Sequence, residues 1–471
     1  MFTFATALAY GSSYAVTIGT QPTGQICTAT NGSGTGISAD VSNVSIVCSA
    51  ATFSVGGTVS GLANGSSVTL KNNGGDALTV TGNGVFTFAT PLAYGSSYAV
   101  TVGTQPTSAT CTVTNGSGSN MAAAVSNVQI ACADRIAYIY VPNYGSNNVL
   151  GYKFDFASGA TTSIAGSPFA SGANDRWVTT NPAGTFAYVA NQNDNTVSAY
   201  TINASTGALT QVTGSPYATG TTPNSIAVNP AGTFAYVANS NGSSISAYSI
   251  DQTTGALTPV AGSPFAAGAI PAKMAINPAG TFLYVTNQNS STVTGFSIDP
   301  ITGALTQVPG SPFSIGGASP YGITVNPAGT VVYVANWQAT VSAFSIDSST
   351  GALTQIAGSP FTATVNGWGL QSVAVNPAGT FAYVGGGNGN PLLVFSIDSI
   401  TGALTQLPSY GNVGYNYVVF DSTGSKAIIS NAWNLTIDVT NINGASGALT
   451  DQAGSPFGVG ARPFDIAVVE P

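Results

Sequence analysis

Histidine is missing from this sequence altogether, and glutamate occurs once, as Glu470. Charge of either sign is scarce: 7 Lys and Arg with 15 Asp and Glu among 471 residues, or 5%, where an ordinary globular protein carries about 25%. Each shortage excludes something. Without histidine, the commonest metal ligand and the usual neutral-pH acid or base are both unavailable, so no metal and no cofactor are expected. Basic residues this sparse cannot neutralise a phosphate backbone, which rules out a nucleic-acid partner. No apolar run approaches the ~20 residues of a membrane helix, so membrane insertion is not expected. The opening MFTFATALAYGSSYAV lacks the basic start of a signal peptide.

What the chain does have is 58 glycines, 25 prolines, 44% hydrophobic residues and 10% aromatics. That apolar content is enough to offset the ordering entropy of several domains, so disorder is excluded despite the glycine. A net charge of -8 gives some solubility, with Ser, Thr, Asn and Gly making up the rest of the surface.

Self-comparison shows two repeat systems. Residues 2–48 match residues 86–132 without a gap, identical at 34 of 47 positions. In the complete copy, β-rich runs near 53–60, 66–71, 77–81, 85–90, 98–103, 110–114 and 125–132 alternate with turn clusters such as Asn72-Asn73-Gly74-Gly75. About seven short strands in some 80 residues reads as an immunoglobulin-like antiparallel sandwich. The domains are therefore 1–50, an incomplete sandwich repeat; 51–133, a complete one; and 134–471, described next.

All four cysteines lie in this first system. Cys27 and Cys48 are separated as Cys111 and Cys132 are, and the duplicated spacing favours disulfides Cys27–Cys48 and Cys111–Cys132 among the three possible pairings. The first copy has nothing matching residues 53–84. Two readings follow: the chain is a fragment of a longer tandem array, or a neighbouring molecule supplies the missing strands. An open sandwich exposes strand edges and apolar faces.

From residue 134 a second period begins. NPAG recurs at Asn181, Asn229, Asn277, Asn326 and Asn376, and DSTG at Asp421 fills the next slot. Each unit holds an apolar strand before NPAG, then strands like TFAYVAN, VSAYSID and GALTQV, then GSPF. Four strands per unit is the pattern of propeller blades. The series opens on a second-strand segment, IAYIYVPN (136–143), and closes on a first-strand segment, DIAVV (465–469), so the last strand completes the first of seven blades. The fold class is all-β: a seven-bladed propeller preceded by sandwich repeats.

The motifs carry a resemblance. Tyr284-Val285-Thr286-Asn287 reads YVTN, Tyr188, Tyr236 and Tyr333 each begin YVAN, and NPAG and TGALTQ…GSPF recur with them. The segment 134–471 resembles the YVTN, or lactonase-like, seven-bladed β-propeller family. The resemblance implies a propeller and, for the family's enzymes, hydrolysis of a sugar-type lactone by polar and charged residues at the channel mouth. This chain departs from that pattern in lacking histidine and in having its one glutamate next to the C-terminus, where lactone opening needs a general base near neutral pH or a metal-activated water.

Repeated residues read as structural. Asp155, Asp251, Asp299, Asp347 and Asp398 share one position per blade and are expected to cap turns. Function is sought where the repeat breaks, ahead of each first strand: Arg176, Trp177, Lys273, Tyr321, Trp368, Arg462 and Asp465. First strands line the channel, so these residues are expected at one mouth as a candidate ligand site, polar or glycan-like, with no catalytic residue among them.

The main expectation is a non-enzymatic extracellular protein, a subunit of a bacterial surface fibre or an adhesin. It would self-assemble head to tail with other copies of itself through strand complementation of residues 1–50, with surface glycans as further partners. The alternatives are a lactonase-like hydrolase and a glycan-binding propeller. Paired cysteines and a Ser/Thr/Gly-rich surface imply export to the cell surface or beyond, with Met1 not the natural start.

Overall fold

The computed structural model describes residues 1–365, 369–387, 389–411, 414–460 and 462–471. Every regular element in these residues is a strand. The chain divides into two compact units, Met1–Arg135 and Ile136–Pro471.

In the first unit, the complete repeat forms two four-stranded sheets. One holds Ser117–Gly118, Tyr98–Thr104, Val68–Asn72 and Asp76–Val80 in that order; the other holds Ala109–Thr114, Val125–Asp134, Val55–Ser60 and Gly84–Thr87. Strand residues alternate between a buried and an open face, and the buried set, including Val55, Leu70, Phe86, Phe88, Val100, Val128 and Ile130, makes one core. Val125–Asp134 runs parallel to Val55–Ser60 with Val128 opposite Gly57. A Cβ at Gly57 would stand 1.8 Å from the Val128 carbonyl oxygen, so this close approach tolerates glycine alone. Cys111 faces Cys132 across an antiparallel pair, and Cys27 faces Cys48 in the same way. Both pairs are bonded, with S–S distances of 2.02 Å and 2.01 Å respectively.

The partial copy keeps the strands Gln25–Thr30 and Ser45–Ala50 but not the cover over them. Its Phe2 and Phe4 are 48% and 65% exposed, whereas their counterparts Phe86 and Phe88 are 6% and 3% exposed. The same side chains are surface in one copy and core in the other. The strands that bury them, Val55–Ser60 and Val68–Asn72, belong to the part without a first-copy counterpart.

Among its described residues, the second unit forms seven antiparallel sheets. Blade two shows the plan: Asp175–Thr180, Phe186–Asn191, Thr196–Ile202 and Leu209–Gln211 in sequence order, with the short strand Tyr217–Ala218 returning onto the third. Blade one takes Ile136–Asn143, Asn148–Asp155 and Thr161–Ser163, and its innermost strand is the C-terminal Ala467–Val469, which pairs with Ile136–Asn143. The ring is closed by joining the two ends of this unit's chain in a single sheet, so neither end strand is left unpaired.

The repeated residues explain why each blade forms. In the NPAG turn, the Asn181 Oδ1 accepts the backbone N–H groups of Thr185 and Phe186 at 2.9 Å and 2.8 Å, and Gly184 takes a φ of +65°. The DxxTG aspartates cap the next turn as expected: Asp251 Oδ1 accepts from the N–H of Thr253 and Thr254 at 2.9 Å and 2.8 Å. Blade-to-blade contacts come from third-strand rings such as Tyr248, Phe296 and Phe344 and from the GSPF rings, each packed in a cluster shared by two neighbouring sheets. A further tie was not anticipated. The YVAN tyrosine of one blade donates its hydroxyl to the TGAL glycine carbonyl of the next: Tyr188 to Gly255 at 3.1 Å, Tyr236 to Gly303 at 3.0 Å, Tyr284 to Gly351 at 2.9 Å.

Candidate functional site

The first strands neighbour one another around the ring axis, and six of them carry a β-bulge near their start. The register slips between Asp175 and Trp177, Pro223 and Ser225, Pro271 and Met274, Pro320 and Ile323, Leu370 and Ser372, and Tyr415 and Tyr417. A bulge sets two residues against one on the partner strand and re-aims a side chain, a common device beside functional sites. Each slip falls where the repeat also breaks in sequence. One level of the channel is thereby occupied by Trp177, Lys273, Tyr417 and Asp465, which line a cavity of ≈ 420 Å³ together with smaller residues such as Gly322 and Ser372. Below them the wall is largely aliphatic, from Val178, Ile226, Ile323, Val373 and Ile466.

Lys273 stands at the centre of this level. Its Nζ lies 3.4 Å from the centroid of the Trp177 ring and 5.5 Å and 5.4 Å from those of Tyr321 and Tyr417, and it donates to the Asn224 carbonyl at 3.2 Å. Removal from water pushes its pKa well below the usual lysine value; the Asp465 carboxylate opposes the shift and the Arg176 guanidinium adds to it. Asp465 is buried two residues ahead of the closing strand and accepts the Val178 N–H on Oδ2 at 2.9 Å. Burial pushes its pKa up to about 7, against the pull of Lys273 and of its backbone donors. Tyr417 is held well above the ordinary tyrosine value, chiefly by burial.

Nearer the mouth, Arg176 of blade two reaches across to blade five, where a guanidinium N–H donates to the Tyr321 hydroxyl at 2.9 Å. Arg176 also lies over the Phe464 ring, 5.5 Å from its centroid. The Trp177 indole N–H donates to the Ile226 carbonyl at 3.0 Å, and its ring meets Tyr417 edge-on. The level is therefore braced across several blades before any ligand arrives.

Five of the seven residues singled out from sequence, Arg176, Trp177, Lys273, Tyr321 and Asp465, come together here. Arg462 does not: it is exposed. Its distance in sequence from Asp465 is three residues, enough to leave the first-strand level. Trp368 lies outside the described residues. Sequence reasoning missed Tyr417, which shares the register level of Lys273 and Asp465, because the bulges that set this level are invisible in one dimension. It also missed Asp175, fully buried, whose Oδ2 accepts from Asn143 N–H at 3.3 Å and Ser171 Oγ at 3.1 Å. Its pKa is pushed up to about 7, by burial above all. The signal was present: Asp175 stands where three later blades have Pro223, Pro271 and Pro320.

A carboxylic acid poised near neutral pH beside a buried amine is the equipment of acid–base chemistry. The comparisons with known proteins bear chiefly on the same unit. A family model described as lactonase, 7-bladed beta-propeller, matches residues 96–319 and 315–461. The chain belongs to this family. Solved propellers share the fold: a candidate 6-phosphogluconolactonase from Bacteroides fragilis (22% identity, 72% of this chain and 98% of that one, TM-score 0.63) and another from Bacteroides uniformis (19%, 72% and 100%, 0.62). A periplasmic gluconolactonase of Pseudomonas aeruginosa is similar over 71% of this chain and 99% of its own, at 19% identity and a TM-score of 0.56. No curated protein matches the sequence.

Family membership corrects the expectation of a non-enzymatic fibre or adhesin subunit, and with it the expectation that the chain is no enzyme. The physical reason for the error lies in Asp465. The absence of histidine does not leave the channel without a neutral-pH base, because burial in the channel wall pushes a carboxylate into the same range.

Proposed function

We propose that the protein is a lactonase-like hydrolase that opens a sugar-type lactone in the propeller channel, with Asp465 as general base. The observation that carries the reading is the burial of Asp465 in the channel wall with a pKa of about 7, supported by the family model and by neighbours described as gluconolactonases. In the forward step, the Asp465 carboxylate takes a proton from water as the hydroxide forms a bond to the lactone carbonyl carbon. Negative charge gathers on the carbonyl oxygen, where Lys273 and Arg176 are the available donors; such charge stabilisation in a low-dielectric site is the largest single contribution in many acyl transfers. The tetrahedral centre then collapses with cleavage of the ring C–O bond. The ring oxygen leaves with the proton, giving a hydroxy acid and restoring the carboxylate.

Initial rates on glucono-1,5-lactone, corrected for spontaneous opening, test this. Asp465→Asn should lower kcat by about 10²–10⁴-fold, the usual contribution of a positioned base. Wild-type kcat/KM should rise as the pH passes through about 7, because the base works only when ionised. Full activity in the variant would overturn the assignment.

Two finer readings accompany it. The unit of residues 51–133 is an immunoglobulin-like module, a reading supported by its two four-stranded sheets and the strand-to-strand disulfide. The protein works outside the reducing cytoplasm, a reading supported by both cystines.

A further inference from the structure

The channel mouth carries two aromatic side chains that neither the ring nor the proposed chemistry uses. Tyr144 and Trp433 follow the second strands of blades one and seven, Ile136–Asn143 and Lys426–Asn431, in the turns toward the third. These turns adjoin the starts of the inner strands, since Asn143 bridges Pro463 and Asn431 pairs with Tyr415. The corresponding turns of blades two, three and four carry Gln192-Asn193, Ser240-Asn241 and Gln288-Asn289, and that of blade five carries Trp337, which is half-buried. Blades two to four close without an aromatic there, so the fold does not call for one.

Both are open to solvent, Trp433 at 65% and Tyr144 at 38%. Tyr144 meets the Phe464 ring edge-on at 5.1 Å. Phe464 in turn carries Arg176 on its ring and immediately precedes Asp465. On the side of blade one, Tyr144 is thus joined to the channel site through Phe464. Amide side chains share the same turns: Asn147 accepts the Asn174 N–H on Oδ1 at 3.2 Å, Asn148 donates to the Ser146 carbonyl at 2.9 Å, and Asn434 follows Trp433. Aromatic faces set among amides suit a ligand with C–H-rich faces and a hydroxyl rim, which is a pyranose ring.

Resting on the lactonase reading, we propose that Tyr144 and Trp433 form a subsite for a second sugar ring joined to the lactone ring, making a disaccharide aldonolactone the preferred substrate. Rates on cellobiono-1,5-lactone and glucono-1,5-lactone decide it. The wild type should favour the disaccharide in kcat/KM by about tenfold or more, the worth of one stacked ring. Trp433→Ala and Tyr144→Ala should each remove most of that preference through KM and leave glucono-1,5-lactone turnover within about twofold, because neither side chain touches the reacting atoms. Trp433→Phe should restore part of the preference. Equal kcat/KM for the two lactones in the wild type, or equal losses on both in the variants, would overturn the subsite. If neither lactone is turned over, the hydrolase reading fails on its own. Titration of tryptophan fluorescence with cellobiose then tests the subsite separately: saturable quenching lost in Trp433→Ala upholds it, and no binding sinks it.

Discussion

One side chain type does opposite things in this molecule, and its surroundings decide which. Asp347 sits on the surface with Ser349 and Thr350 donating to it, and those bonds hold its pKa down to about 2. Asp465 and Asp175 have been taken out of water, and both are pushed up to about 7. For Asp175 the shift has a consequence for stability. A carboxyl whose folded pKa exceeds its unfolded value of 3.8 stabilises the fold below the unfolded value, and that contribution is lost as the pH rises to about 7. Charging this buried group therefore costs on the order of 2–4 kcal/mol above pH 7. Among the described residues its Oδ1 has no hydrogen-bond partner, nor has the Oδ1 of Asn143, whose N–H it accepts. Asp175→Asn should raise the melting temperature at pH 8 by several degrees and change it little at pH 4.5. An unchanged difference across that range would show that the carboxyl is not titrating there.

At the scale of the element, the YVAN strand joins sequence to assembly. Its tyrosine reaches the next blade, and the Gly303 carbonyl that receives the Tyr236 hydroxyl at 3.0 Å has its partner in a buried setting. Tyr236→Phe leaves the ring in place and removes the donor, so chemical denaturation should show a loss of about 1–3 kcal/mol. The disulfide Cys111–Cys132 bridges two facing strands at a sequence separation of 21. Replacing both cysteines with alanine should cost the sandwich about 3 kcal/mol, read from its unfolding midpoint. The inner strands show the limit of pattern reading. Their apolar residues mark them as strands, but six carry a bulge, and without the bulge the periodicity of two would assign Tyr417 and Lys273 to the wrong faces.

Over the whole molecule, the contrast between the two sandwich copies is a controlled experiment. Phe86 is buried in a core and Phe2, its counterpart, is 48% exposed. Phe86→Ala should destabilise the first unit by about 3–5 kcal/mol and Phe2→Ala by under about 0.5 kcal/mol, measured by thermal unfolding. In the second unit, the scarce charges are distributed with purpose: surface aspartates cap turns, while Arg176, Lys273 and Asp465 face one another across the channel. The shortage of ionisable groups that first suggested inertness concentrates what chemistry there is.

The seven-blade ring, the closing strand and the turn-capping aspartates were all legible in the sequence, because repetition displays local rules again and again and a strand left over at each end can pair with only one thing. Most of the candidate site was legible too, as departures from the repeat at Arg176, Trp177, Lys273, Tyr321 and Asp465. What the residues could not show by themselves was their chemistry. Whether Asp465 is a surface carboxylate or a base near neutral pH depends on the water removed by six other blades, and whether Tyr417 joins it depends on a one-residue slip in register. Solvation and register are properties of residues distant in the chain, and tertiary structure alone brings them to one point.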